Sequence, residues 1–303
     1  MIQRNIQKSI LQTLAWFECV KRPLKVKELF HNLWKQDPTF EQFESTLFEL
    51  IDRGDLKLYK RYVVRKKGQV DKYLESELVR REFHAKDRQV TSWLRHIPFI
   101  VGVYVVNSSA FDGQNRKSDL DLLVVCKNNF MWLGRFLVTF VIHLFGVRRY
   151  KHKVAGRVCL SFFLTDEALD LEKLKKRTHE DIYLIYWLIW ARPLLHSKNI
   201  RNLLSYNHWV KDYVPHAMEQ SFKKSQQFSL FANILEYIMH YTGIAFLCNA
   251  LLRSYLKPRA ERKHKKSTER ASIIISDTIL KFHEDDRRDE YFDKWRMKYE
   301  LGL

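Results

Sequence analysis

Residues 106–125 read VNSSAFDGQNRKSDLDLLVV and place two acids, Asp119 and Asp121, at the start of an apolar run. The run LDLLVVC (120–126) predicts a buried strand, and alternate side chains of a strand share a face, so both carboxylates should point the same way. Adjacent carboxylates repel each other unless a cation lies between them. Mg²⁺ is suited to that position because it prefers oxygen ligands and keeps waters and phosphates in its shell. The pattern therefore predicts an Mg²⁺ (or Mn²⁺) site at Asp119 and Asp121, with a solvated strand start as the alternative.

Polar residues before the two acids predict a site for phosphate. The preceding apolar run FIVGVYVV (99–106) predicts another strand, which ends at Asn107 and is followed by Ser108 and Ser109. A strand that turns into a helix at this point offers backbone N–H groups and hydroxyls to an anion. Arg116 and Lys117, next to the acids, either contact phosphate as well or are solvated loop residues.

This arrangement resembles the DNA polymerase β-like nucleotidyltransferase superfamily, especially its minimal nucleotidyltransferase branch. The segments VYVVNS and SDLDLLVV carry the resemblance, which extends over residues 98–166. It implies that Ser108 contacts phosphate and that Asp119 and Asp121 hold the metal. It also implies transfer of a nucleotidyl group from an NTP to a hydroxyl acceptor, with release of pyrophosphate.

The chain departs from the family pattern at two positions. Asn107 stands where the family has glycine, and the next predicted strand, RVCLSFFLT (157–165), lacks the third carboxylate of catalytic members. Ser161 is the strand position where we expect that acid to be missing, and Asp166 lies too far along to replace it. The alternative function is therefore an inactive nucleotide- or RNA-binding adaptor on the same fold.

Hydrophobic periodicity predicts an α+β protein in four parts. Residues 1–68 resemble a winged-helix domain, with three helices followed by the hairpin in LIDRGDLKLYKRYVV (50–64). Residues 69–97 predict a connecting helix, 98–176 a nucleotidyltransferase-fold core with a small mixed sheet, and 177–303 a helical domain. The third helix is acidic, which favours packing or a protein partner over reading of the DNA major groove.

The charge distribution predicts polyanionic partners. The chain of 303 residues has a net charge of +18, which favours nucleotide, RNA or anionic lipid as a partner. Residues 253–270 contribute +6 of it, from eight Lys/Arg and two Glu. The candidate polyanion patch consists of Arg259, Arg262, Lys263, Lys265 and Lys266. Arg135, on an apolar predicted helix, needs either an internal carboxylate or a substrate phosphate as its partner.

Cysteine usage and hydropathy indicate a cytoplasmic protein without a transmembrane segment. The four cysteines are widely separated, which is typical of a reduced compartment, and each is expected to be a small core residue. The apolar segments 131–146 and 231–252 contain polar residues, among them Glu236. An acid in mid-membrane costs about 3 kcal/mol, so both segments are expected to be buried helices.

Overall fold

A computed structural model describes residues 2–150, 153–198, 200, 202–218, 225–265 and 270–300. It shows the α+β architecture that the sequence predicted. The α-helices are α1 Ile2–Cys19, α2 Val26–His31, α3 Phe40–Asp52, α4 Lys67–Glu75, α5 Glu77–Leu94, α6 Asn107–Ala110, α7 Met131–Leu144, α8 Ile182–Trp190, α9 Leu230–Tyr241, α10 Ile244–His264 and α11 Arg288–Glu300. The strands are β1 Leu24–Lys25, β2 Lys57–Tyr59, β3 Tyr62–Val64, β4 Ile100–Val105, β5 Leu120–Cys126, β6 Val158–Thr165, β7 Arg192–His196, β8 Gln226–Gln227, β9 Ser272–Ile275 and β10 Ile279–His283. Short 3₁₀ helices cover Glu172–Leu174, Leu203–Tyr206 and His208–Asp212.

The N-terminal part has the predicted order of three helices and a hairpin. Thr39 caps α3 by accepting a hydrogen bond from the Gln42 backbone N–H, and the Thr39 backbone N–H donates to the Gln42 side-chain oxygen. The hairpin β2–β3 pairs with β1 to give a three-stranded antiparallel sheet. The predicted connecting helix is present as α4 and α5.

The central feature is a seven-stranded mixed sheet in the order β8-β7-β4-β5-β6-β10-β9. Within it β4 and β5 are antiparallel, whereas β5 and β6 are parallel. The predicted strands at the centre are therefore confirmed, but the expected helical segment after residue 176 contributes β7, β8, β9 and β10. The prediction of helix there was wrong at β7 because Pro193 favours an extended conformation at Arg192, and α8 ends at Trp190. At β9 and β10 the pairing with β6 decides the conformation, and that pairing is not visible in the local sequence.

Two hydrophobic cores lie on the two faces of this sheet. One extends from α1 through α8 to α11, where Trp16 stacks on Tyr186 at 5.6 Å and Trp295 donates to the Gln12 carbonyl at 2.8 Å. The other lies beneath α5 and α7, around Val90 and Trp132. The domain boundaries at 68, 97 and 176 stay predictions, and elements on either side of each boundary share these cores.

The two apolar segments tested for membrane character differ in structure. The expected burial of segment 131–146 is met only in part: six residues of α7 are buried, among them Trp132 and Val138, whereas Phe140 and Leu144 are exposed. The expected buried helix at 231–252 is wrong: the segment forms parts of α9 and α10, bent by 85°, and most of its large apolar side chains are exposed. Among the described residues no single helix is long and apolar enough to cross a bilayer. The helices α9 and α10 reach the required length and apolarity only when taken together, as a bent pair.

Candidate functional site

The predicted acids line a large open cleft of about 1740 Å³ beside the central sheet. Its walls come from the starts of β5 and β6, from β10 and the segment after it, from α8, and from the second half of α10. Residues far apart in the chain therefore meet around Asp119 and Asp121, as they do at many ligand sites.

Asp119 and Asp121 point in the same direction, as the strand pattern predicted. Their neighbours Leu120 and Leu122 are 0% and 1% exposed, whereas both acids face the cleft. One ligand atom from each acid and the Cys159 sulfur all lie within 4.8 Å of one another. Burial, reinforced by the Asp119 carboxylate, holds the pKa of Asp121 well above its usual value. Ionised Asp121 is therefore disfavoured in the free protein, and a divalent cation at this position stays a prediction.

Arg149 was not predicted as part of this site. Its Nη1 lies 2.6 Å from Asp119 Oδ2 and 3.7 Å from the Cys159 sulfur. The backbone next to it pairs with the start of β6, through N–H of Arg149 to the Val158 carbonyl at 2.9 Å. Nothing in the local sequence shows this contact, because it depends on how the segment after α7 returns to the sheet.

On β6 the side chain nearest the two acids is that of Cys159. The sequence had predicted Ser161 as the strand position at which the third carboxylate is missing. The parallel pairing sets Asp121 opposite Cys159, and an irregularity between Asp121 and Leu123 then shifts the register. Ser161 also lines the cleft and hydrogen-bonds the Cys159 thiol. Burial raises the pKa of Cys159 to about 12, so the thiol is protonated and neutral. The expectation that Cys159 is only a core residue was therefore incomplete.

Asp166 lies too far from the two acids to replace the missing third carboxylate, which confirms the prediction from the sequence. It follows Thr165, which pairs with Cys126 at the far end of β5, about 17 Å along the strand from Asp121. There its Oδ1 accepts the Asn128 backbone N–H at 2.8 Å.

Asn107 connects the acid pair to α8. Its φ of 57° lies in the left-handed region that favours glycine and that asparagine also tolerates, so it can hold the backbone where the resembling family has glycine. Its Oδ1 accepts hydrogen bonds from Trp187 Nε1 at 2.9 Å and from Tyr183 at 3.1 Å. The side chain also hydrogen-bonds Asp121 and favours its ionised form. Asn107 is therefore a positioning residue for Asp121.

The structure separates the four predicted phosphate contacts. Ser108 lines the cleft, whereas Ser109 is buried and its hydroxyl donates to the Asp119 carbonyl at 3.4 Å. Arg116 lines a different, smaller pocket beside Lys86, and Lys117 is absent from the lining of the large cleft. Of these four only Ser108 is placed to meet a ligand held by the two acids.

The candidate polyanion patch and the acid pair belong to the same cleft. Arg259, Arg262 and Lys263 line it from the C-terminal half of α10. Lys265 is exposed next to them without lining the cleft, and Lys266 lies outside the described residues. Arg135, which the sequence also singled out, lines the cleft as well. Five further basic residues of the lining were not predicted, namely Arg148, Arg149, Lys281, Arg287 and Arg288.

Arg135 is the most unusual of these cations. Its Nη1 is buried without a hydrogen-bond partner, and its guanidinium stacks 4.4 Å from the centre of the Phe282 ring. Burial, with a contribution from Arg148, lowers the pKa of Arg135 to about 10, and no carboxylate contributes. Among the residues that the structure describes, the expected internal carboxylate is thus missing.

The acid pair fits a hard divalent cation. Two carboxylates supply the oxygen ligands that Mg²⁺ and Mn²⁺ prefer, while a neutral thiol adds no suitable ligand. No protein-family model, curated protein or solved structure matches this chain.

Proposed function

We propose that the cleft binds a nucleoside triphosphate together with Mg²⁺ or Mn²⁺ and transfers its nucleotidyl group to a hydroxyl acceptor. The observation that carries the proposal is that two converging carboxylates and several cations, among them Arg135 and those of α10, line one cleft. A bound divalent ion would neutralise phosphate charge and orient the triphosphate for in-line attack.

The chain's own residues would divide the binding between them. Asp119 and Asp121 hold the cation, Asn107 orients Asp121, and Ser108 meets a phosphate at the turn after β4. The cations of α10 and Arg135, which line the same cleft, would meet the remaining phosphate charge. Arg149 offsets the charge of Asp119 in the absence of ligand and lies close enough to contact a phosphate on arrival.

A nucleotide- or RNA-binding module without turnover is the second candidate. It is favoured by Cys159, because a protonated thiol at this position can neither complete the metal shell with a carboxylate nor act as base toward an acceptor hydroxyl. The two candidates share the ligand and differ only in the chemistry that follows binding.

Thermal unfolding with each NTP and Mg²⁺, combined with an assay for pyrophosphate, tests both candidates. At a ligand concentration of about 100 Kd, binding stabilises the protein by about 2.7 kcal/mol, and Asp119→Asn or Asp121→Asn should abolish this shift. Neither substitution should destabilise the free protein by more than about 1 kcal/mol, because each removes one of two repelling charges and the pair of Asp119 with the half-exposed Arg149 contributes no more than that. Asp52→Asn, at the exposed end of α3, is the matched control and should keep the full shift.

The outcomes separate the proposals. Pyrophosphate release that requires both acids supports the transferase. A metal-dependent shift without release, together with release in Cys159→Asp, supports the binding module and identifies the lost acid. The absence of any shift in the unmodified chain refutes both.

A further inference from the structure

The outward side of α9 and of the first half of α10 is apolar without interruption by charge. From residue 230 to 251 no exposed residue is charged. The members of this apolar face are 48–73% exposed and are Leu230, Phe231, Ile234, Tyr237, Ile238, Tyr241, Ile244, Phe246, Leu247 and Leu251. Monomeric proteins rarely expose a contiguous apolar patch of more than a few hundred Å², so this surface requires a partner.

Two polar side chains of the same segment, Glu236 and Asn249, point toward the protein. Glu236 accepts hydrogen bonds from the Phe99 backbone at 2.9 Å and from Lys127 Nζ at 2.8 Å. Asn249 Oδ1 accepts the backbone N–H groups of Trp132 and Leu133 at 3.1 and 3.0 Å. A surface helix in water has the opposite arrangement, with its apolar side inward. Two of the polar residues that argued against a membrane segment in the sequence, Glu236 and Asn249, are thus satisfied inside the protein.

Charge next to the apolar face indicates the nature of the partner. Beyond Leu251, α10 continues with Arg253 and Lys257, which pair with Asp277, and with Arg259, Arg262 and Lys263 at the edge of the cleft. The chain as a whole has a net charge of +18. A second copy of the chain would bring these cations close to their own counterparts, which costs free energy. An anionic bilayer meets both requirements, since its interior accepts apolar side chains and its headgroups attract Lys and Arg.

We propose that the apolar face lies in the interfacial layer of a bilayer that contains anionic phospholipid. The protein rests on the membrane and does not cross it, because α9 is about 18 Å long, the hydrocarbon core is about 30 Å thick, and the chain bends by 85° before α10. Tyr237 and Tyr241, whose rings are 4.3 Å apart, suit the headgroup level, where tyrosine is enriched.

Vesicle flotation of the full chain without nucleotide tests this proposal independently of the cleft. Vesicles of phosphatidylcholine with about a third of phosphatidylserine should carry the protein, and those of phosphatidylcholine alone should carry less. The double variant Phe231→Ser/Ile238→Ser should partition about a hundredfold more weakly, about tenfold for each side chain withdrawn from lipid. The matched control, Leu58→Ser/Leu78→Ser, changes two residues that are 48% and 59% exposed on other elements and should float like the unmodified chain.

All four sites are exposed, so the unfolding midpoints of the variants should match that of the unmodified protein. The proposal is overturned if the unmodified chain floats with neither vesicle, or if the double variant floats equally well. It is also overturned if light scattering shows a dimer that the double variant dissociates, because a second copy then covers the apolar face.

Discussion

Replacing Arg135 by methionine separates a ligand-binding cation from a structural one. In the free protein this change removes a buried, unsatisfied donor, whose desolvation costs about 1–3 kcal/mol. It also removes the stacking on Phe282, worth about 0.5–2 kcal/mol. These effects oppose each other, so the free energy of unfolding should change by less than about 1 kcal/mol or rise slightly. A charge paired internally would give the opposite result, because breaking a buried ion pair costs about 3–5 kcal/mol.

Ligand binding should respond strongly to the same substitution. A charge-assisted hydrogen bond contributes about 1.5–3 kcal/mol, which corresponds to a loss of affinity of about 10- to 150-fold for an NTP with Mg²⁺. Calorimetric titration measures this loss, and urea unfolding measures the stability of the free variant. Arg116→Met is the matched control, because Arg116 lies outside the large cleft and should leave the affinity unchanged.

Two results would refute this reasoning about Arg135. One is a free variant destabilised by several kcal/mol, which would reveal an internal partner. The other is an affinity loss that Arg116→Met reproduces, which would reduce the role of Arg135 to general attraction between a basic protein and an anion.

Two further substitutions test the packing around the site. Hydrogen bonds to Asp112 and Asp87 raise the pKa of His84 from 6.5 to about 9. The substitution His84→Gln should therefore lower the free energy of unfolding most below pH 6.5. This difference from the unmodified protein should vanish as the pH rises through 9. Because the His84 side chain is 39% exposed, the effect stays below about 1 kcal/mol. Urea titrations of the variant and the unmodified protein at pH 6 and above pH 9 measure it, and an equal loss of stability at both pH values would contradict the prediction. Gly113→Ala places a Cβ 2.2 Å from the Val20 carbonyl oxygen, so it should destabilise the protein by about 1–3 kcal/mol or more, and an unchanged thermal midpoint would show that the loop moves away freely.

Local patterns were sufficient for the features that depend on one segment. The alternation around Asp119 and Asp121 predicted that both acids face one side, and the Thr39 cap predicted the start of α3. The α+β class followed from the change between periods of two and of 3.6 residues.

Features that depend on pairing between distant segments could not be predicted in this way. The contact of Arg149 with Asp119 and the placement of Cys159 opposite Asp121 follow from the register between β5 and β6. The exposure of α9 was mispredicted because an apolar run has the same sequence signature whether protein or another apolar medium covers it. The seven-stranded sheet exceeds the small predicted sheet because β10 pairs with β6 across more than a hundred residues.

The contact between the two ends of the chain affects how the protein is made. Trp295 donates to the Gln12 carbonyl across 283 positions, and it fills the core that α1 begins. At a synthesis rate of about 5–20 residues per second, α1 leaves the ribosome roughly 15–60 s before α11 can cover it. During that interval the α1 surface around Trp16 lacks its final cover, which leaves apolar surface exposed on the nascent chain. The same delay keeps the cleft incomplete, because β10 and the end of α10 are among the last parts to emerge.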